Sequence, residues 1–291
     1  MSVDRAILFR LATSTSLERV VKALPRGRDT AWRAAAPYVA GINTDDAIRA
    51  ARELSDRKVA SSIDQFGELV DDPAVAQRVT DDYLRLADRL TDADDAWLAI
   101  DLSHLGLDID PRGCADRIAE IARALPDGRR IQVGAEDYSR SDAVLACVLD
   151  AADRGLGDRL GATVQANLHR TPGDVERLQH AGVHIRLVKG AYVEPPDRAL
   201  PFGEPTDIAY LRLAHQLAAT NTPFALATHD GVLREALLAS LGPVPIEQLL
   251  GVRPEVIDDL TARGIPTRVY IPFGDDWFRY WMRRLAESRG A

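Results

Sequence analysis

From residue 59 onward the chain alternates between two hydrophobic rhythms. Short runs of apolar residues with small or β-branched members fall at 59–64, 96–102, 130–135, 162–167, 184–188, 224–227, 245–249 and 267–271. Each is followed by a longer stretch in which apolar residues recur every three or four positions, at 73–93, 110–125, 141–154, 173–181, 205–220, 231–241, 254–263 and 275–289. The first rhythm predicts strands and the second helices. Turn residues such as Asp127-Gly128 and Arg263-Gly264 separate them. Strict alternation predicts a parallel sheet, and eight repeats point to a closed (β/α)8 barrel of the TIM type. A doubly wound open sheet is the competing arrangement.

Residues 1–57 have a different texture. Helical spacing recurs in Ala6-Ile7…Phe9…Leu11, in Leu17…Val20-Val21…Leu24 and in Ile48…Ala51…Leu54, with breaks at Pro25-Arg26-Gly27 and at Gly41 to Asn43. Asn43 is placed to cap the helix that runs toward Lys58. The expected organisation is a helical arm over 1–57 and an α/β barrel domain over 58–291.

In a barrel, chemistry belongs at the C-terminal ends of the strands. Those ends carry Asp64, Asp101-Leu102-Ser103-His104, Ala135-Glu136-Asp137, Gln165-Ala166-Asn167, Lys189-Gly190-Ala191-Tyr192, Thr228-His229-Asp230, Leu249-Leu250-Gly251 and Tyr270-Ile271-Pro272. Polar and ionisable groups are concentrated there, while the strand starts are largely apolar.

Composition narrows the class. The 291 residues carry a net charge of −8 with no basic block, which argues against a nucleic-acid partner. Two distant cysteines, Cys114 and Cys147, form neither a metal set nor a disulfide framework, so a reducing, cytoplasmic setting is expected. The charged N-terminus does not read as a signal peptide. No run reaches 18 uncharged apolar residues, which leaves only peripheral contact at the inner face of a membrane open. Of the 36 basic residues just three are lysines (Lys22, Lys58, Lys189), so the other 33 are arginines. Lys189 is therefore conspicuous at a strand end, as a Schiff-base nucleophile or as a cation beside an anionic group.

Two further patterns bear on chemistry. Tyr280, Arg283, Arg284 and Glu287 fall at i, i+3, i+4 and i+7, on one helix face. Paired guanidiniums make a fixed, forked receptor for a carboxylate or phosphate; the plainer alternative is a solvated helix with an internal Arg–Glu pair. Arg186, inside the strand 184–188, needs a partner within the barrel, because an unpaired buried guanidinium is prohibitive. Asp230 reads as a helix cap, and His180 and His184 as structural. The run Gly155-Leu156-Gly157-Asp158-Arg159-Leu160-Gly161 precedes a strand instead of following one, so it is not a dinucleotide loop. No metal-ligand set is present.

Several of these segments together resemble the proline dehydrogenase family of flavoproteins. Leu187-Val188-Lys189-Gly190-Ala191-Tyr192 is similar to the family's RLVKGAY strand end. Val164-Gln165-Ala166-Asn167-Leu168-His169-Arg170-Thr171-Pro172 is similar to LQAYLxRTP, and Ala227-Thr228-His229-Asp230 to ATHD/N. Ile246-Glu247-Gln248-Leu249-Leu250-Gly251-Val252 resembles QMLYGV, and Ser62-Ile63-Asp64-Gln65-Phe66-Gly67-Glu68 the first strand. The tail, Arg268-Val269-Tyr270-Ile271-Pro272-Phe273-Gly274 followed by Tyr280-Trp281-Met282-Arg283-Arg284-Leu285-Ala286-Glu287, resembles VRxYxPxG…YxxRRLxE. The resemblance covers about 58–290.

The resemblance implies a distorted barrel holding FAD at the strand C-termini and oxidising L-proline to Δ1-pyrroline-5-carboxylate, with hydride passing to flavin N5 and electrons to a quinone. A separate pyrroline-5-carboxylate dehydrogenase would consume the product. By the same resemblance Arg283 and Arg284 clamp the substrate carboxylate and Glu287 braces them. Tyr270, Tyr280, Leu249 and Ala191 shape the ring pocket. Gln165, Arg186, Val188, Lys189, Gly190, Tyr192, Thr228, His229 and Arg284 line the flavin, with Arg186 near N5. Tyrosine at 270 favours proline over hydroxyproline. Two departures stand out: where the family has a lysine in SxKLS this chain has Asp101, and where it has the aspartate of DME this chain has Gly134. We expect Asp101 to take over the lost carboxylate's place beside the substrate. The loop Pro201-Phe202-Gly203-Glu204 also lacks a basic residue that relatives place near FAD. On the residues alone, an aldolase-like barrel using Lys189, a dehydrogenase for another cyclic amino acid and a non-catalytic amino-acid binder stay open.

Overall fold

The computed structural model describes residues 27–91 and 95–288, apart from the side chains of Arg279, Arg283 and residues 285–288. In chain order its elements are α1 (Gly27–Ala35), α2 (Thr44–Asp56), β1 (Ala60–Gln65), α3 (Pro73–Arg89), β2 (Ala96–Ile100), α4 (Pro111–Ala124), β3 (Ile131–Val133), α5 (Ser141–Ala151), β4 (Leu160–Gln165), α6 (Thr171–His180), β5 (His184–Val188), α7 (Glu204–Ala218), β6 (Phe224–Ala227), α8 (Gly231–Leu241), β7 (Ile246–Leu249), α9 (Pro254–Ala262), β8 (Thr267–Phe273) and α10 (Trp277–Ser288). The strands pair in parallel in the order β1 to β8, and β8 closes on β1. The eight predicted strand-plus-helix units are all present, and the open-sheet alternative is excluded. Boundaries moved by a few residues: the fourth strand begins at Leu160, and the third is only three residues long. The helical repeats proposed at residues 6–11 and 17–24, and Lys22, lie outside the described residues.

Local chemistry sets several of these starts. Asn43 caps α2 by accepting from the Asp46 N–H at 3.0 Å, and Asp72 caps α3 by accepting from the Ala74 N–H at 2.8 Å, with Pro73 in the first turn. Pro111, Pro172 and Pro254 likewise sit in the first turns of α4, α6 and α9, where a missing N–H costs nothing.

The strands carry a division of labour that runs opposite to the usual barrel. Outward-facing Ile63, Leu98, Ile131, Ile185, Leu226, Ile246 and Val269 are completely buried against the helices. Several inward positions are polar: Ser62, Gln132, Arg186, Glu247 and Arg268 lie where barrels ordinarily stack Val, Ile and Leu. An interior of this kind is tolerable only when each polar group is partnered. Its contacts identify the inward face directly, since Arg186 on β5 reaches Glu247 on β7 and Ser62 on β1, and strands that are not neighbours can meet only across the lumen.

Two apolar clusters hold the fold. The larger joins strand backs and surrounding helices and takes in Ala47, Ile48, Ala51 and Leu54 of α2. The smaller packs α1 against α10 through Ala31, Ala35, Val39, Trp277, Phe278, Tyr280 and Met282. Each fully buried large apolar side chain contributes roughly 1.5–3 kcal/mol, so the second cluster fixes α10 onto the barrel; the reading of α10 as a solvated helix is overturned. Among the described residues no helix is long and apolar enough to cross a membrane.

Candidate functional site

The C-terminal ends of the strands form a mouth, and α10 lies beside it. Tyr270, two residues before Pro272 on β8, projects into the lumen one layer above Arg268, as the period of two requires. Its ring lies 6.2 Å from Tyr280 of α10, and Tyr280 packs 5.2 Å from Phe66 in the loop after β1. The Arg284 guanidinium stacks 4.9 Å from the Tyr280 ring centroid. Three of the sequence-derived substrate residues, Tyr270, Tyr280 and Arg284, are thus brought together. The side chains of Arg283 and Glu287 lie outside the described residues.

A buried carboxylate anchors this wall. Asp64, at the end of β1, accepts a hydrogen bond from the Tyr270 hydroxyl through Oδ2 and from the Tyr83 hydroxyl of α3 through Oδ1 at 2.9 Å. Burial raises its pKa to about 6, against the hydrogen bonds from Tyr270 and Tyr83 and the charge of Arg186, which all favour ionisation. Burial, then the charges of Asp64, Tyr280 and Asp101, pushes the Tyr270 phenol well above its ordinary value. Asp101 lies close by: a Cβ built on Gly134 would collide with Asp101 Oδ1. The Asp101 carboxylate, just after β2, therefore fills the space that a side chain at 134, just after β3, would occupy.

The other side of the mouth is built by β4 to β7. Gln165, buried at the end of β4, donates through Nε2 to the Glu136 carbonyl at 3.0 Å. Val188 and Leu249 are half-buried at the ends of β5 and β7. Gly190 adopts φ +112°, and any Cβ there would meet the Asn167 amide, so glycine is required for this close approach. Ala191 and Tyr192 are exposed beyond it, and the Tyr192 hydroxyl reaches the Ala135 carbonyl at 3.4 Å. Thr228 accepts from the Asp230 N–H at 3.1 Å.

His229 is the clearest donor left over. Its Nε2 accepts from the Leu249 N–H at 3.2 Å, which assigns the proton of the neutral ring to Nδ1. Burial, reinforced by the charges of Arg284 and Arg253, lowers its pKa to about 4. Nδ1 is buried and, with Asn167 Oδ1, has no partner among the described residues. Unsatisfied buried groups clustered at strand ends are what a polar heterocyclic ligand would complete.

Lys189 is already committed. Its Nζ lies 2.7 Å from both Asp207 Oδ1 of α7 and Asp230 Oδ2. Burial works against its charge, but the hydrogen bonds to Asp207 and Asp230 outweigh that and raise its pKa. A Schiff-base lysine needs a free, deprotonated amine, so the aldolase reading has lost its nucleophile. Asp230 also caps α8, accepting from the N–H groups of Val232 and Leu233 at 3.0 and 3.1 Å.

Arg186 found the partner its burial demanded. Its Nε donates to Glu247 Oε2 at 2.5 Å and its Nη2 to Ser62 Oγ at 3.2 Å. Sequence reading missed Asp64, Tyr83 and Glu247 as site residues. Glu247 was discoverable: it shares the inward face of its strand with Leu249, and Arg186 required an internal anion. Asp64 stood at a strand end, but its two phenol partners lie 19 and 206 residues away and no local pattern links them.

Comparison with known proteins bears on this mouth. The family profile for proline dehydrogenase matches residues 47–291. The proline dehydrogenase of Deinococcus radiodurans is 33% identical over 296 residues, covering 97% of this chain and 94% of that protein. Proline dehydrogenase 1 of Bacillus subtilis strain 168 is 28% identical over 259 residues, covering 86% of this chain and 85% of its own length. Among solved structures, proline utilization A from Bdellovibrio bacteriovorus, inactivated by N-propargylglycine, superposes with a TM-score of 0.80 at 18% identity. It covers 98% of this chain, which spans 36% of that longer protein. Proline utilization A from Bradyrhizobium japonicum gives 0.73 at 22% identity over 94% of this chain and 33% of its own. Those two likenesses concern the fold, whereas the profile match and the one-third identity along nearly all of both sequences make this chain a member of the proline dehydrogenase family.

Proposed function

We propose that this chain is an FAD-dependent proline dehydrogenase that oxidises L-proline to Δ1-pyrroline-5-carboxylate, with residues 58–291 as the catalytic domain and 1–57 as an arm. The observation that carries the reading is the mouth where Arg284, stacked on Tyr280, meets Tyr270 anchored by Asp64. It joins a carboxylate receptor to an apolar wall, the two features a small cyclic amino acid needs.

The groups on the far side suit a flavin. His229 offers a buried Nδ1–H donor, Gly190 lets backbone approach closely, and Arg186 brings a buried positive charge. Gln165, Val188, Lys189, Tyr192 and Thr228 complete this side of the proposed cofactor cradle, and Arg284 faces it from α10. When bound, FAD would supply the two-electron acceptor for the hydride of proline, with a quinone as the onward acceptor.

The protein's own part is orientation. Arg283 and Arg284 hold the substrate carboxylate, with Glu287 bracing the pair. Tyr270, Tyr280, Leu249 and Ala191 confine the ring, and Asp101 supplies a carboxylate beside it in place of the missing side chain at 134. Fixing the reacting carbon against its acceptor accounts for much of the rate in a reaction that needs no strong acid. Arg186 stabilises negative charge that develops during the reaction. Tyr270 fills the place where a 4-hydroxyl would need room, which favours proline over hydroxyproline. We further propose a cytoplasmic enzyme with peripheral contact at the inner face of the membrane, where quinone resides, and a separate pyrroline-5-carboxylate dehydrogenase downstream.

The test is turnover of the FAD-loaded protein with a soluble quinone, trapping the cyclic imine with o-aminobenzaldehyde. The expected result is a yellow adduct with L-proline and at least tenfold less with 4-hydroxyproline. No adduct with either substrate contradicts the reading.

A further inference from the structure

The lumen of the barrel holds a ladder of charges. At its floor Arg268 lies over the Trp97 ring, 3.5 Å from the centroid, and pairs with Asp95 at 3.3 Å. Glu247 is its register neighbour on β7. Above that, Arg186 binds Glu247 at 2.5 Å and Ser62 at 3.2 Å, and its charge is felt by Asp64 at the mouth. Signs alternate from floor to mouth. Arg186 and Glu247 are both more than nine-tenths buried.

Glu247 is not fully used by this contact. Only Oε2 accepts from Arg186, while Oε1 is buried with no hydrogen-bond partner among the described residues. A carboxylate so placed is not needed merely to satisfy a donor, since a neutral amide oxygen could accept the same bond. What only the carboxylate contributes is its charge, and in a low-dielectric interior that charge extends well beyond one contact.

We propose that Glu247 is a positioning residue that fixes the Arg186 guanidinium across the lumen and offsets its charge, so that the flavin bound at the mouth is held at a lower midpoint potential than Arg186 alone would set. This rests on the reading of the mouth as a flavin site. Reducing a flavin adds negative charge, which a bare guanidinium nearby favours. A compensated guanidinium favours it less, and the cofactor then passes electrons on more readily. Ser62 holds the other end of the guanidinium without changing the charge.

The experiment is an anaerobic dye-coupled titration of bound FAD in the wild type, Glu247→Gln and Glu247→Asp. Glu247→Gln keeps the acceptor oxygen and removes the charge; its midpoint potential is expected to move positive. Glu247→Asp, which keeps the charge but withdraws it by one carbon, is expected to move the same way by less than half as much, and it carries the test if the glutamine variant does not fold. Ser62→Ala is expected to shift the potential less than Glu247→Gln. If Glu247→Gln and Glu247→Asp hold FAD at the wild-type potential, the inference is overturned and the flavin reading stands. If the wild type takes up no FAD, the flavin reading falls and the inference with it.

Discussion

Tyr270 on β8 donates its hydroxyl to Asp64 on β1, across the seam where the barrel closes. The same carboxylate accepts from Tyr83, so two phenols share one buried acid whose pKa lies at about 6. The unfolded chain ionises this aspartate near 3.8, so as pH rises from about 4 to about 6 the unfolded state releases a proton that the folded state still holds, and the fold loses stability. A shift of that size amounts to about 3 kcal/mol. Asp64→Asn does not titrate there. Its stability relative to the wild type should therefore improve as pH rises through 6, as measured by urea denaturation at pH 4.5 and 7.5. A gap independent of pH would contradict this.

Asp101 and Gly134 act as a unit. Gly134→Ala should drive the Asp101 carboxylate from its place and raise KM for proline by roughly tenfold, as Asp101→Ala should. Because both remove the same interaction, the double variant should be no worse than either alone. Steady-state kinetics on the three variants decides it, and an Asp101→Ala enzyme with unchanged KM and kcat would refute the role given to Asp101.

Lys189 is a paired cation and not a nucleophile. Cyanoborohydride with any carbonyl or amino-acid substrate should leave the protein mass unchanged. Lys189→Met should leave Asp207 and Asp230 without their counter-charge and lower stability by about 1–3 kcal/mol. A trapped adduct on Lys189 would restore the aldolase reading.

His229 should act through its Nδ1–H. Loss of one buried donor costs about 1–2 kcal/mol, so His229→Ala should weaken FAD binding by roughly 5- to 30-fold. With the ring titrating near pH 4, the wild-type affinity should show no His229 inflection between pH 6 and 8. Fluorescence titration of the apoprotein with FAD reads both, and an inflection lost in His229→Ala would show that the ring carries a charge there.

The barrel was legible because its signals are local. Strand and helix periods, the Asn43 cap and the Asp230 cap are written within a few residues of where they act. The polar lumen was half legible: Arg186 announced that it needed an anion, but β7 offered Glu247 and Gln248 side by side, and only the strand's facing chose between them. Least legible was the second apolar cluster. It joins α1 to α10 over more than two hundred residues, and it converts the stripe carrying Tyr280 and Arg284 from an exposed helix face into the wall of a mouth. Asp64 stayed hidden for the same reason, because its role comes from phenols delivered by α3 and β8.

The proposed carboxylate receptor above a flavin is tested most directly by anaerobic addition of L-proline to the FAD-loaded wild type and the Arg284→Ala variant. The wild type should bleach completely in the flavin absorption band. The variant should keep its flavin yet need roughly 100-fold more proline for half-bleaching, as removal of one charge-assisted contact of up to about 3 kcal/mol implies. A wild-type flavin that proline leaves oxidised, or a variant that bleaches at the same proline concentration, would contradict it.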